Sequence, residues 1–120
     1  MDNKEFGIQL EIRTKKFAIE MIKLSTELPK TAEANVIRNQ VTKSGTSIGA
    51  NYREANRSRS KADFLNKIKI SESEASETLY WLEIIGELQW VKLDRLNPIK
   101  KEIKELLAIF TSISKSLKTK

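Results

Sequence analysis

Hydrophobic positions recur at helical spacing in four segments of the chain, and no segment shows the sustained alternation of a strand. In the first segment the apolar stripe advances in steps of seven, four, three and four residues. It consists of Leu10, Phe17, Met21, Leu24 and Leu28, widened on one side by Ile12, Ile19 and Ile22. Pro29 is predicted to end this helix, because a proline ring disfavours helical dihedrals at the residue before it.

Two hydroxyl residues predict where the second and third helices begin. Thr31 is a suitable N-cap, and Ser60 with Asp63 has the spacing of a capping box. The second stripe is unusually polar and small: Ile37, Val41, Ser44, Ile48, Asn51 or Tyr52, and Ala55. The third stripe, which ends near residues 88–90, consists of Phe64, Ile68, Ser71, Ala75, Thr78 or Leu79, Leu82 and Ile85.

The fourth segment has the most regular repeat and is predicted to begin between Asp94 and Pro98. Its apolar positions alternate steps of three and four: Leu96, Ile99, Ile103, Leu106, Phe110, Ile113 and Leu117. The connections at 29–31, 59–60 and 90–94 are short, so consecutive helices must be antiparallel. The sequence predicts an all-α protein, an up-down-up-down antiparallel four-helix bundle, with residues 1–120 as a single domain.

The composition argues against catalysis and against bound cofactors. The 120 residues include no His and no Cys. The commonest general base, the thiolate nucleophile and the imidazole and thiolate metal ligands are therefore missing. We expect a protein that is not an enzyme and that carries no metal or other cofactor.

The N-terminal residues and the apolar runs predict a cytoplasmic protein. The chain does not open with a basic region followed by an apolar stretch, as a signal peptide would. The longest apolar run extends only from Leu106 to Phe110, far below the ~20 residues that span a bilayer. We therefore expect no membrane contact.

Charge is distributed unevenly along this chain of net charge +6. Residues 31–61 and 94–120 each carry a formal charge of +4, whereas residues 62–93 carry −3. Such basic stretches could hold a polyanion, and the alternative is that they are simply the solvated surface of a basic protein. The candidate nucleic-acid contacts are Arg53, Arg57, Arg59, Lys100, Lys101 and Lys104.

Small and aromatic residues in the middle helices predict self-association. Gly45 and Gly49, followed by Ala50, form a small face that lets another helix approach closely. Each glycine costs about 1 kcal/mol relative to alanine inside a helix, so a packing contact should offset it. The aromatic pair Tyr80 and Trp81 adds apolar surface beyond the needs of one bundle.

Polar residues on the second and third helices are expected to join those helices. Glu74 and Glu77 could pair with Arg53, Arg57 or Arg59, since charges flanking a helix seam often select its partner. Asn51, with Ser44 and Ser47, is expected to form a polar layer bonded to Thr78, Tyr80 or Glu77.

Three blocks of sequence carry a family resemblance: Ser44-Gly-Thr-Ser-Ile-Gly-Ala-Asn-Tyr-Arg-Glu-Ala55, Ser60-Lys-Ala-Asp-Phe64 and Glu74-Ala-Ser-Glu-Thr-Leu-Tyr-Trp-Leu82. Together with Phe17-Ala18, Leu28-Pro29 and Gln40, they resemble the bacterial four-helix bundle family of ribosomal RNA intervening-sequence proteins over roughly residues 6–110. Gly45 departs from the alanine that is more usual there.

The resemblance implies a homo-oligomer and a nucleic-acid context. A related branch, the accessory variability determinant of diversity-generating retroelements, forms a basic pentameric barrel that binds nucleic acid and a reverse transcriptase. We therefore expect a homopentamer that binds RNA, or a nucleic-acid-bound protein such as a reverse transcriptase. The alternative is a structural or adaptor oligomer that contacts a protein partner and has no affinity for nucleic acid.

Overall fold

The computed structural model describes residues 3–118, apart from the side chain of Lys118. It contains four helices: α1 (Asn3–Ser25), α2 (Ala32–Ala55), α3 (Lys61–Glu87) and α4 (Leu93–Lys118). Each helix packs against the next one in sequence, and α1 also meets α4, whereas the backbones of α1 and α3 do not approach each other closely. The predicted all-α four-helix bundle is confirmed, with overall dimensions of 46 × 26 × 22 Å.

Contacts across the helix seams show that neighbouring helices are antiparallel. Ser71 donates a hydrogen bond to the carbonyl of Ile48 at 2.9 Å. Seven residues further along α3, Thr78 bonds Ser44 at 2.8 Å, four residues earlier on α2. At the α1–α2, α3–α4 and α1–α4 seams, too, later residues of one helix contact earlier residues of the other.

Both predicted N-caps are present. Thr31 has extended dihedrals and its hydroxyl accepts from the amide of Ala34 at 3.1 Å. Ser60 caps α3 by accepting from the amide of Asp63 at the same distance. Each hydroxyl satisfies one of the four amides that a helix start leaves without an intrahelical partner.

Two helix boundaries differ from the sequence prediction. α1 ends at Ser25, three residues before Leu28, because the chain turns there through hydrogen bonds from Thr26 to Lys23 and from Glu27 to Leu24. α4 begins at Leu93, one residue before the predicted interval. Pro98 therefore lies in the second turn of α4, where the helix forgoes one backbone hydrogen bond.

The core follows the predicted stripes closely. On α2 Tyr52 is buried and Asn51 is not, and on α3 Thr78 is buried and Leu79 is half-buried. The largest fully buried side chains are Phe110, Met21, Leu24, Ile48, Ile68, Leu82, Ile85, Leu96, Ile103, Leu106, Val41 and Thr14.

The prediction that isoleucines widen the α1 stripe is wrong. Ile12, Ile19 and Ile22 are all exposed. At 100° per residue these side chains project away from the face that carries Leu10 and Phe17. The side chains on that face are the ones that α1 contributes to the core. α1 therefore presents a second apolar face to the surface.

Candidate nucleic-acid interface

Two of the candidate arginines lie in the connection between α2 and α3. Arg57 follows the last turn of α2, and Arg59 precedes the Ser60 cap of α3; both side chains are exposed. Within the described residues neither forms an ion pair with a carboxylate. Their guanidinium groups are free to contact phosphate oxygens, to which arginine binds in a planar, two-pronged geometry.

Arg53 is one turn earlier on α2 and is partly engaged. Its Nε lies 3.5 Å from Glu11 Oε1 on α1, with half of the arginine side chain exposed. The same carboxylate accepts from the amide of Asn56 at 2.8 Å. An exposed pair of this kind contributes little to stability, so Arg53 remains accessible to an anionic partner.

The three candidate lysines belong to a separate surface. Lys101 and Lys104 are exposed on α4 and Lys100 is half-buried, and none forms an ion pair within the described part of the chain. Since α4 runs antiparallel to α3, Lys104 lies roughly 25 Å along the bundle axis from the level at which α3 begins, at 1.5 Å per residue. The six predicted residues thus form two cationic surfaces instead of one.

The predicted pairing of these arginines with Glu74 and Glu77 is wrong. Glu77 accepts from the indole of Trp81 at 3.2 Å, whereas Arg53 pairs with Glu11. The helix register explains the error. Because Ser44 and Ile48 lie opposite Thr78 and Ser71, the two glutamates are level with the middle of α2 and not with its C-terminal turn.

The remaining arginines hold the bundle together. Arg13 bonds Glu102 and Glu105 at 2.6 and 2.7 Å, which raises the pKa of the guanidinium above its ordinary value. Arg95 bonds Glu27 and Glu20, with the same effect on its pKa.

Arg38 has a different structural role: it donates to the backbone carbonyls of Ser25, the last residue of α1, and of Leu28 and Pro29 in the connection that follows. Nothing in the sequence pattern distinguishes Arg13, Arg38 and Arg95 from the three arginines near the α2–α3 connection. The distinction comes from which carboxylates and carbonyls the fold brings within reach.

The small residues of α2 pack within the bundle. A Cβ atom on Gly49 would lie 3.0 Å from the Cβ of Thr14, and one on Gly45 would clash with the Met21 side chain. The predicted close approach of a helix is confirmed, but the approaching helix is α1 of the same chain. Only Ala50 is exposed, so the glycines give no support to self-association.

The predicted polar layer is only partly correct. The bond between Thr78 and Ser44 crosses the α2–α3 seam as expected. Asn51, in contrast, donates to the carbonyl of Ser47 on its own helix at 2.9 Å and is half-buried. Asn51 lies at the edge of the core because Tyr52, its neighbour, takes the inward position and stacks edge-on against Phe110.

The outer side of α3 carries uncompensated negative charge and aromatic surface. Burial, and then the nearby charge of Glu77, raise the pKa of Glu74, an effect that Lys43 only partly offsets. Tyr80 is exposed, Trp81 is half-buried, and their rings meet edge to face at 5.1 Å. The residues 71–87 include five glutamates and no basic residue.

Two further findings concern metal sites and membrane helices. Within the described residues, no three Asp or Glu side chains are grouped so that they could hold a metal ion. No helix in the same part of the chain combines the length and the apolar character that crossing a membrane requires.

The fold and the surfaces described above place the protein in the class of small antiparallel helical bundles with charged outer faces. The family model described as the 23S rRNA-intervening sequence protein matches residues 9–112. The chain therefore belongs to that family, which confirms the resemblance seen in the sequence.

A solved structure supports the same assignment. It is described as a protein with unknown function from the S23 ribosomal protein family from Bacteroides thetaiotaomicron. It is 35% identical, has a TM-score of 0.81, and the match covers 88% of this chain and 97% of that one. No curated protein matches the chain significantly.

Proposed function

We propose that this protein is a self-associating, non-enzymatic helical bundle that binds RNA through its two cationic surfaces. The observation that carries the proposal is the division among the arginines. Hydrogen bonds within the bundle engage Arg13, Arg38 and Arg95. In contrast, Arg57 and Arg59 are exposed and have no carboxylate partner in the described structure. The family description, which refers to 23S rRNA, supports RNA as the class of polyanion.

Binding of this kind rests on phosphate neutralisation. Each phosphate contact with single-stranded RNA releases counterions and contributes about −0.7 to the slope of log affinity against log salt concentration. Contacts to phosphates position a protein without reading sequence, so little sequence preference is expected. Several copies in one assembly would multiply the contacts through an increased effective concentration.

The test is fluorescence anisotropy with a labelled single-stranded RNA and a labelled hairpin RNA at about 50 mM salt, where charge contacts are weakly screened. The variants Arg57→Glu/Arg59→Glu and Lys101→Glu/Lys104→Glu should each lower affinity at least tenfold and make the salt slope shallower by about 1 to 2. Lys30→Glu/Lys92→Glu changes the net charge equally at exposed positions outside both surfaces and is the matched control.

Two results would contradict the RNA proposal. One is the absence of RNA binding by the unaltered chain at low salt. The other is an equal loss of affinity in the control, which would show that net charge alone is responsible.

A second candidate function is that of an adaptor oligomer that contacts a protein and not RNA. The exposed isoleucines of α1 favour it, because an ordered row of apolar side chains on a protein surface is typical of a contact with another protein. The anisotropy experiment separates the two functions, since an adaptor would bind neither RNA.

A further inference from the structure

A second, outward-facing apolar stripe runs along α1. Ile8, Ile12, Ile19 and Ile22 are 52%, 58%, 44% and 51% exposed. With Lys15 between Ile12 and Ile19, the positions advance in steps of four, three, four and three, the spacing of a coiled-coil seam. α1 thus has one seam facing the core and another facing outward, and the outward seam is interrupted by a single cation.

A second stripe with the same spacing runs along the outer side of α3. It consists of Ile70, Glu74, Glu77, Trp81, Ile84 and Leu88. Ile70 and Leu88 are 41% and 52% exposed, and Trp81 and Ile84 are half-buried at the edge of the bundle. This seam too is apolar at both ends, and its interruption consists of two anions.

The interrupting charges of the two stripes are of opposite sign and lack full compensation within the chain. Lys15 is exposed and forms no ion pair in the described structure. Glu77 is exposed, and the raised pKa of Glu74 reflects burial beside another carboxylate. A lysine facing this pair of glutamates would relieve their mutual repulsion.

One molecule cannot bring its own two stripes together. The backbones of α1 and α3 do not approach each other within the bundle. The α1 stripe faces outward, and the α3 stripe lies on the outer flank of its helix, with only Trp81 also packing against the edge of the core. Two α1 stripes facing each other would set Lys15 and the adjacent Lys16 against the same cations of the other copy. A stripe on α3 offers the complement that α1 lacks.

We propose that the outward stripe of α1 packs along the outer stripe of α3 in a second copy of this chain, with Lys15 facing Glu74 and Glu77. This inference rests on the proposed self-association and names the surfaces that carry it. Because the two surfaces differ, each copy in a pair retains one unused stripe, an α3 stripe on one copy and an α1 stripe on the other. The assembly therefore grows beyond a dimer, and it closes into a ring where the rotation between successive copies allows closure.

Sedimentation equilibrium of the full chain tests the apolar part of the contact. The unaltered chain should show a mass above the 13.8 kDa of one protomer. Ile12→Gln/Ile19→Gln should raise the midpoint concentration of dissociation at least tenfold with an unchanged helical circular dichroism spectrum. Leu93→Gln is the matched control, because Leu93 is 64% exposed and lies outside both stripes.

Charge reversal tests the polar part. Lys15→Glu and Glu77→Lys should each raise the dissociation midpoint at least tenfold, and a chain carrying both substitutions should return toward the unaltered midpoint. An α1 stripe facing another α1 stripe would not respond to Glu77→Lys, and that result overturns the pairing with α3.

Mixing two defective chains tests the heterologous geometry. Chains with Ile12→Gln/Ile19→Gln keep the α3 stripe, and chains with Ile70→Gln/Glu77→Lys keep the α1 stripe. Their mixture should form a complex of one copy of each and nothing larger. A mixture that stays at the protomer mass overturns the proposed contact.

The outcomes separate this inference from the function on which it rests. A protomer mass for the unaltered chain at micromolar concentration overturns self-association itself. An assembly that forms but is indifferent to all of these substitutions leaves self-association intact and overturns only the stripes.

Discussion

α1 meets its two neighbours in opposite ways. Against α2 the helices approach so closely that Gly49 leaves no room for a side chain beside Thr14. Against α4 they stand apart and enclose a groove of about 680 Å³. Long side chains bridge that seam, including Arg13 to Glu102 at 2.6 Å.

The difference shows where the stability of the bundle resides. At the α1–α2 seam buried groups make dispersion contacts at close range, and the packing leaves no space for a larger side chain. At the α1–α4 seam the bridging groups remain about a third exposed, so water and salt screen them. The stability of the protein should therefore respond strongly to small changes in side-chain volume at the α1–α2 seam. It should respond only weakly to the removal of a charged group at the α1–α4 seam.

The largest effect is expected from filling the close seam. Gly49→Leu should destabilise the protein by about 3 kcal/mol or more, because the new side chain meets the backbone of α1 as well as Thr14. Ala50→Leu adds comparable volume at the adjacent exposed position and should change stability by less than about 0.5 kcal/mol. Urea denaturation followed by circular dichroism measures both, and equal stabilities would remove the contrast between the seams.

The α2–α3 seam is also close, but hydroxyl groups contribute to it. Thr78→Val should cost about 1–3 kcal/mol, because it leaves the buried Ser44 hydroxyl with only a long 3.5 Å contact to the carbonyl of Val41. Adding Ser44→Ala should recover part of that loss. A double-mutant cycle in urea measures the coupling, and strictly additive losses would show that the two hydroxyls do not depend on each other.

A smaller effect is expected at the open seam. Arg95→Met removes the bonds to Glu20 and Glu27 but keeps an unbranched apolar side chain over the groove, so it should cost up to about 1 kcal/mol. The loss should shrink in 1 M salt. Arg57→Met, which removes an arginine without an ion pair, is the control, and a loss at Arg95 of several kcal/mol would mean that the open seam is not tolerant.

The smallest effects are those of pH, and two glutamates should respond in opposite directions. Bonding to Arg95 lowers the pKa of Glu27, so its contribution to stability is present above the unfolded pKa and is lost as the pH falls through the folded pKa. Burial and Glu77 raise the pKa of Glu74, so its charge destabilises the fold at neutral pH and this penalty disappears as the pH falls through the raised pKa.

At neutral pH Glu27→Gln should therefore destabilise the protein and Glu74→Gln should stabilise it, and both differences should fade in acid. Thermal melts between pH 3 and 7 measure this, in a background of Ile12→Gln/Ile19→Gln that keeps Glu74 away from another copy. Differences of the same sign for the two variants would contradict the assigned causes.

Helix positions and the inward faces of α2, α3 and α4 were predictable because the core-facing stripe of each is its most continuous one, and the outer stripe of α3 is broken by Glu74 and Glu77. α1 was less predictable. It has two apolar stripes on different faces, and periodicity cannot tell which of them, Leu10 and Phe17 or Ile12 and Ile19, packs into the core. The burial of the first stripe follows from its fit against the residues of α2 and α4, which is information distributed over the whole chain.

The partners of charged and small residues were the least predictable features. The sequence shows that Gly49 needs a close neighbour, but not that the neighbour is Thr14 of the same molecule. It likewise shows Arg53 and Glu74 on adjacent helices without the register that separates them. Such pairings depend on offsets of a single helical turn, which capping residues and connection lengths fix only to within a few residues.

The clamp that Arg38 forms on the end of α1 implies an order of events during folding. Its three carbonyl partners are only 9 to 13 residues away in sequence, so little chain entropy is lost when the clamp closes. Arg13 and Glu102 are 89 residues apart in sequence and can meet only after the helices between them have packed together. The hairpin of α1 and α2 should thus be an early structure of the folding pathway, with the groove beside α4 the last region to close.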